Sequence, residues 1–145
     1  MSSHTRRDFL KRSAAVAGGL AAFSLAGTQA SGRVLGANDR IRVAVAGIHG
    51  RGRSHIDAYS KMKGVEVAYL VDPDSRLFAS RSKVVEKYGA PKPKCVQDLR
   101  KILDDKNLDA VSIATTNSSH ALLAIWACQA GKDVYVEKPC SHNIF

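Results

Sequence analysis

The sequence predicts an α/β fold, a doubly wound parallel sheet with helices on both faces. Three observations predict it. Ile41–Ala46 (IRVAVA) is a short, nearly continuous apolar run leading straight into a glycine cluster, Gly47, Gly50 and Gly52, with a helix-forming stretch behind it. Strands buried on both faces of a parallel sheet read this way. Further short apolar runs at Val65–Val71 and at residues 108–114 and 134–136 alternate with stretches of helical character. That alternation is the pattern of parallel strands joined by right-handed crossovers. Finally, these runs end in the glycine turn, Asp72, the Thr115, Thr116 and Asn117 loop, and Glu137-Lys138. The carboxyl ends of parallel strands share one edge, and ligands bind there.

Taken in order, the first strand covers 41–46 and the turn covers 47–52 (Gly47, Ile48, His49, Gly50, Arg51, Gly52), with a helix predicted over 54–63. In this context backbone N–H groups can approach a phosphate, and the helix N-terminus adds partial positive charge. The spacing departs from Gly-x-Gly-x-x-Gly, because His49 takes the second glycine position. That glycine normally leaves room for a pyrophosphate, so the histidine must aim away or the pyrophosphate must shift. The second strand, 65–71, ends at Asp72, 25 residues after Gly47. An acid there can accept hydrogen bonds from a ribose hydroxyl pair and repels a 2′-phosphate, which favours NAD over NADP. Arg76 keeps NADP open as the minority option, and Arg81 reads as solvated.

Asp74 suits the N-cap of a helix over 75–88, with Leu77, Phe78, Val84, Val85 and Tyr88 on one face. Gly89 ends that helix, and Pro91 and Pro93 prevent its restart. Cys95-Val96 forms a very short strand, and Asp98 caps a helix running to Leu103. The strand over 108–114 opens into a polar loop, followed by a helix over 120–130 closed by Gly131 and a last strand over 134–136. The prediction is five strands alternating with four helices.

The first 30 residues stand apart. Arg6 and Arg7 lie in Thr-Arg-Arg-x-Phe-Leu-Lys from Thr5 to Lys11, followed by a mild Ala- and Gly-rich run and small residues, Thr28-Gln29-Ala30, suited to cleavage. This resembles a twin-arginine signal, which implies the twin-arginine (Tat) export machinery as a partner and a periplasmic or otherwise exported location. The run is too short and too weakly apolar for a stable membrane anchor.

Four of the 22 basic and one of the 13 acidic residues fall in this leader, so the remaining 115 residues carry +6. These cations are dispersed without aromatic interleaving and read as a solvated face, not a nucleic-acid surface. Cys95, Cys128 and Cys140 fit no zinc spacing and are expected as buried free thiols, with Cys128 in the core. No metal site is expected.

The segments AVAGIHGRGRSH from Ala44, YLVDPD from Tyr69, VSIATTNSSHALLAIWACQAGKDVYVEKP from Val111 and SHN from Ser141 together resemble the N-terminal half of the Gfo/Idh/MocA oxidoreductase family, over residues 41–145. The resemblance implies a Rossmann fold that binds NAD(P). Lys138 of Glu137-Lys138-Pro139 is then expected near the nicotinamide and substrate, as the candidate catalytic residue, next to a lysine–proline bond that is often cis in the family. Thr115, Asn117 and His120 match positions whose counterparts contact the cofactor, and His120 reads equally well as a helix cap. Thr116 departs from the family's usual proline. Residues 31–40 form a lead-in.

By the same resemblance the chain is expected to be the cofactor-binding fragment of a longer exported oxidoreductase acting on a sugar, polyol or related carbohydrate. A second α/β domain would supply the substrate pocket, the catalytic Asp/His pair and the surface for homo-oligomer formation. An NAD-dependent glycosidase of the same family and a non-catalytic nucleotide-binding fragment are the alternatives.

Overall fold

The computed structural model describes residues 40–141. The leader, most of the lead-in, and His142 and Asn143 lie outside the described residues. Strand β1 (Ile41–Ala46) runs through the glycine turn into α1 (Gly50–Lys61), then β2 (Val65–Val71). A short 3-10 helix (Ser75–Leu77) leads into α2 (Phe78–Glu86), and β3 (Lys94–Val96) follows. A second 3-10 helix (Leu99–Ile102) precedes β4 (Ala110–Ile113), α3 (Asn117–Gln129) and β5 (Asp133–Val136). The strands form one sheet in the order β3-β2-β1-β4-β5, and every pairing is parallel. The doubly wound prediction holds, and the winding direction reverses between β1 and β4. A crevice opens at such a point, beyond the carboxyl ends of the strands.

Each face of the sheet has its own core. Val45, Val67 and Leu70 pack with Ile48 and Ile56 at α1 and Val85 of α2. Ala44, Ala46, Val111 and Ile113 face the other way, with Ala127 of α3 and Leu99 and Ile102 of the second 3-10 helix. The register of β1 on β2 slips after Val43: Val43 pairs with Val67, but Ala44 pairs with Tyr69. The extra residue, Ala68, lets Ala68 and Tyr69 join the same core while Val67 and Leu70 join the other. A bulge of this kind resets which side chains point to which face.

Several predicted boundaries move, and the helix predicted over 75–88 divides into the first 3-10 helix and α2, which ends at Glu86. Helix α1 starts at Gly50 and α3 at Asn117, four and three residues before their predicted starts. Gly50 and Gly52 lie inside α1, where Gly52 serves close packing against the Gly47 carbonyl; Thr116 takes the N-cap position of α3, so Asn117 opens that helix. The helix predicted after Asp98 is a four-residue 3-10 turn, capped by the Asp98 carboxylate on Arg100 N. The thiol prediction is also corrected. Cys128 and Cys140 are exposed and Cys95 is partly buried. Cys128 shares the outer side of α3 with Leu122 and Ile125, while Ala127 meets the sheet. No described helix is long and apolar enough to cross a membrane.

A Cβ added to Gly52 would lie 1.7 Å from the Gly47 carbonyl oxygen, whereas one added to Gly50 would meet nothing within 4 Å. Gly52→Ala must therefore push α1 off the end of β1, and an overpacking cost of about 3 kcal/mol is expected. Gly50→Ala is expected to stay within about 1 kcal/mol of the parent. Urea unfolding of the two variants checks the contrast, and equal midpoints would contradict it.

Candidate functional site

The turn after β1 is built from main chain. Gly47 has φ +79°, and a Cβ there would lie 2.6 Å from the Ala114 carbonyl oxygen, so glycine is required by both conformation and space. Gly47 N donates to Val71 O at 2.8 Å. The Ile48 side chain is buried, its N–H donates to Asp72 Oδ2 at 2.9 Å, and its carbonyl accepts from Arg81 Nε at 2.7 Å. Arg81, expected to be solvated, thus helps anchor the turn. His49 takes the N-cap position of α1, makes no side-chain cap bond and is exposed; the first turn of α1 carries no acid. A helix N-terminus left this way offers N–H groups and partial positive charge to an anion.

A cavity of about 630 Å³ opens beside this turn, lined in part by His49, Asp72, Asp74, Asp98, Thr115 and Ser119. Its volume lies within the range of small-molecule and cofactor sites. The N-terminus of α3 borders it, and there too the N-cap residue, Thr116, makes no side-chain cap bond. Ser119 Oγ donates to Thr115 Oγ1 at 2.8 Å, which fixes both hydroxyls at the wall. Asp72 is 5 % exposed, and besides the Ile48 bond its Oδ1 accepts from Asp74 N at 2.9 Å. Both carboxylate oxygens therefore brace the turn and the start of the next loop. Among the described residues no cluster of His, Cys, Asp or Glu could hold a metal.

Glu137, also a candidate cofactor-binding residue from the sequence, and His120 are not among the residues lining the cavity. The Glu137 carboxylate turns to α1, where Oε1 accepts from Arg51 Nε at 2.7 Å and lies 2.8 Å from His55 Nε2. His55 is buried, its Nδ1 lies 2.9 Å from Ser112 Oγ, and Tyr59 OH donates to that same hydroxyl oxygen at 3.3 Å. His55 was not singled out from the sequence. Its signal is the stripe Gly52, His55, Ile56 and Tyr59, spaced for one helix face. The His120 ring is buried between the main-chain carbonyls of Pro139, 2.8 Å from Nδ1, and Thr115, 3.1 Å from Nε2. It neither caps its helix nor lines the cavity, because main chain takes both nitrogens. Instead it ties the loop after β5 to the end of β4. Lys138 is exposed, and the Lys138–Pro139 bond is cis. Gly47, His49, Asp72 and Thr115 meet at the cavity; Asn117 is exposed on the first turn of α3.

The Arg51 and His55 contacts hold the Glu137 carboxyl down to about 2. A carboxylate with a depressed value stabilises the fold above its unfolded value, near 4.3, and that contribution is lost as pH falls through about 2. Glu137→Gln is therefore expected to lower the melting temperature at pH 7 and to flatten its fall between pH 5 and pH 2. Melting curves over that range check this, and parallel curves for parent and variant would contradict it.

Comparison with known proteins agrees with this geometry. The family model described as "Oxidoreductase family, NAD-binding Rossmann fold" matches residues 41–144. A glycosyl hydrolase family 109 protein from Shewanella sp. (strain ANA-3) is 32% identical, over 99% of this chain and 35% of its own length. A crystal structure of an NAD-binding oxidoreductase from Klebsiella pneumoniae is 30% identical with a TM-score of 0.60, covering 72% of this chain and 28% of that one. GenD2 from gentamicin A biosynthesis, solved in complex with NAD, is 28% identical with a TM-score of 0.61, covering 75% and 30%. The chain spans about a third of the length of the curated relatives it matches. With its parallel 3-2-1-4-5 sheet, glycine turn and edge cavity, it belongs to the Gfo/Idh/MocA oxidoreductase family as an NAD-binding Rossmann domain.

Proposed function

We propose that the chain is the cofactor domain of an exported, NAD-dependent oxidoreductase acting on a sugar, polyol or related carbohydrate. The observation that carries the cofactor part is the cavity at the winding reversal, bordered by the glycine turn and two helix N-termini without side-chain caps. The residues fit a dinucleotide. Side chains would fill the approach at Gly47, and the donors offered at the turn suit a pyrophosphate. In this reading residues 47–52 hold the pyrophosphate, and Asp72 and Asp74 face the adenosine ribose. Thr115 and Asn117 meet the middle of the cofactor, and Lys138 faces the nicotinamide and the reacting carbon. The bound nicotinamide supplies hydride acceptance or donation. The chain's own contribution is to orient it, with Glu137 and His120 holding the Lys138 loop against α1 and β4.

The acids Asp72, Asp74 and Asp98 at the ribose end favour NAD over NADP. A second reading, an NAD-dependent glycosidase, is favoured by the relatives named glycosyl hydrolase family 109. Release of free sugar without net NADH distinguishes it from a dehydrogenase. Export is supported by the pattern from Thr5 to Lys11. Cell fractionation with Arg6 and Arg7 replaced by lysine tests it, and unchanged export would refute it.

Calorimetric titration of the chain with NAD is expected to give one site with a micromolar dissociation constant. Gly47→Val, which fills the approach to Ala114, is expected to abolish it. Tight binding of S-adenosylmethionine with no response to NAD would overturn the reading.

A further inference from the structure

His120 stands near the start of α3, is 1 % exposed, and joins two segments at the candidate site. Its Nδ1 lies 2.8 Å from the Pro139 carbonyl oxygen, and its Nε2 lies 3.1 Å from that of Thr115. Thr115 lines the cavity, and Pro139 directly follows Lys138. A main-chain carbonyl only accepts, whereas a neutral imidazole has one N–H and one bare lone pair. In a neutral ring one nitrogen would therefore aim its lone pair at a carbonyl oxygen, in a place closed to solvent. Only the imidazolium, with a proton on each nitrogen, satisfies both contacts. His55, the other buried histidine, has no such conflict. Its Nδ1 faces the Ser112 hydroxyl, which receives a hydrogen bond from Tyr59 OH and keeps its own proton to donate. A neutral ring protonated on Nε2 then serves both Ser112 and Glu137.

Burial and the partial positive charge at the start of α3 both oppose a charged ring. Two charge-assisted hydrogen bonds offset them, and giving up either proton would leave a buried carbonyl facing a lone pair. The charged groups on the segments the ring joins are committed elsewhere or lie in solvent. Helix α3 carries no Asp, Glu, Lys or Arg. On the loop after β5, Glu137 is turned to Arg51 and His55, while Lys138 and Cys140 are exposed. We infer that His120 is a positioning residue that works as an imidazolium, tying the Lys138 loop to the cavity wall through a proton on each ring nitrogen. The tie is then complete at acid pH, and one of its two bonds is lost when the ring gives up a proton. The importance of Lys138 rests on the reading of the chain as a cofactor domain; the state of the ring does not.

The test is nuclear magnetic resonance of the isotopically labelled full chain, without cofactor, from about pH 5 to pH 9, a span that brackets histidine titration. Ring nitrogen shifts report the protons on His120. The amides of Thr116 and Cys140, which share peptide groups with the Thr115 and Pro139 carbonyls, report the two bonds. At the acid end both ring nitrogens are expected to carry protons, and as the ring loses one, either the Thr116 or the Cys140 amide is expected to shift with the same midpoint. A ring with a single proton throughout would overturn the inference. So would a ring that titrates while both amides stay still, and a ring that keeps both protons to pH 9 would overturn the coupling to pH. In His120→Gln, which cannot span both carbonyls with one amide nitrogen, the pH-dependent shift is expected to be lost; its survival would assign it to Lys138 or Cys140 and overturn the role of His120. Should that variant fail to fold, the parent spectra decide alone. Because no cofactor is added, these outcomes stand apart from the NAD titration that tests the dinucleotide reading.

Discussion

Helix α1 can lie against the end of β1 only because Gly52 has no side chain at the point where the Gly47 carbonyl approaches. That contact sets where the N-terminus of α1 points, and most of the carboxyl edge depends on it. Were α1 displaced outward by a methyl group, the turn would widen, Ile48 would leave the core it shares with Ile56, and its N–H would lose the Asp72 carboxylate. A hydrogen bond to a charged acceptor of this kind contributes about 2 kcal/mol. Its greater consequence is geometric, because it fixes the turn to the end of β2.

The N-terminal half of α1 is then tied to strands on both sides. Asp72 and Arg81 hold the turn from the β2 side. Arg51 and His55 reach Glu137 just past β5, and Ser112 of β4 supports His55 from below. His120 completes the frame by bridging the carbonyls of Thr115 and Pro139. Of the polar groups expected to touch a ligand, Asp72 and His120 are thus engaged in holding main chain, and Glu137 in holding Arg51 and His55. This leaves main-chain N–H groups, the Thr115 and Ser119 hydroxyls and the Asp74 and Asp98 carboxylates as polar groups for the binding surface. A site framed in this way is rigid before anything binds, which reduces the ordering cost of association.

The strands were legible because each is a short apolar run closed by a glycine or a polar residue, and β2 matches its predicted bounds. The meeting of Gly47, Asp72 and Thr115 at one edge followed from parallel topology alone. Helix starts were less legible. Glycine, asparagine and serine carry loop propensity, and only the tertiary contact at Gly52 and the extended Thr116 show that α1 and α3 begin among them. The direction of the Glu137 carboxylate depends on Arg51 and His55, more than 80 residues away in sequence, and no local pattern encodes it. Burial of Cys128 was misread because α3 is apolar on several sides, so its sequence does not say which side meets the sheet; Leu122, Ile125 and Cys128 face outward.

The central claim is that the edge cavity between β1 and β4 receives a dinucleotide through the main chain of the glycine turn. Amide nuclear magnetic resonance of the isotopically labelled chain, titrated with NAD, tests it most directly. The account predicts saturable shifts at residues 47–52, at Asp74 and at residues 115–117, with the amides of β3 and the C-terminal end of α3 unmoved. Saturable shifts confined to another surface, or none at millimolar NAD, would contradict it.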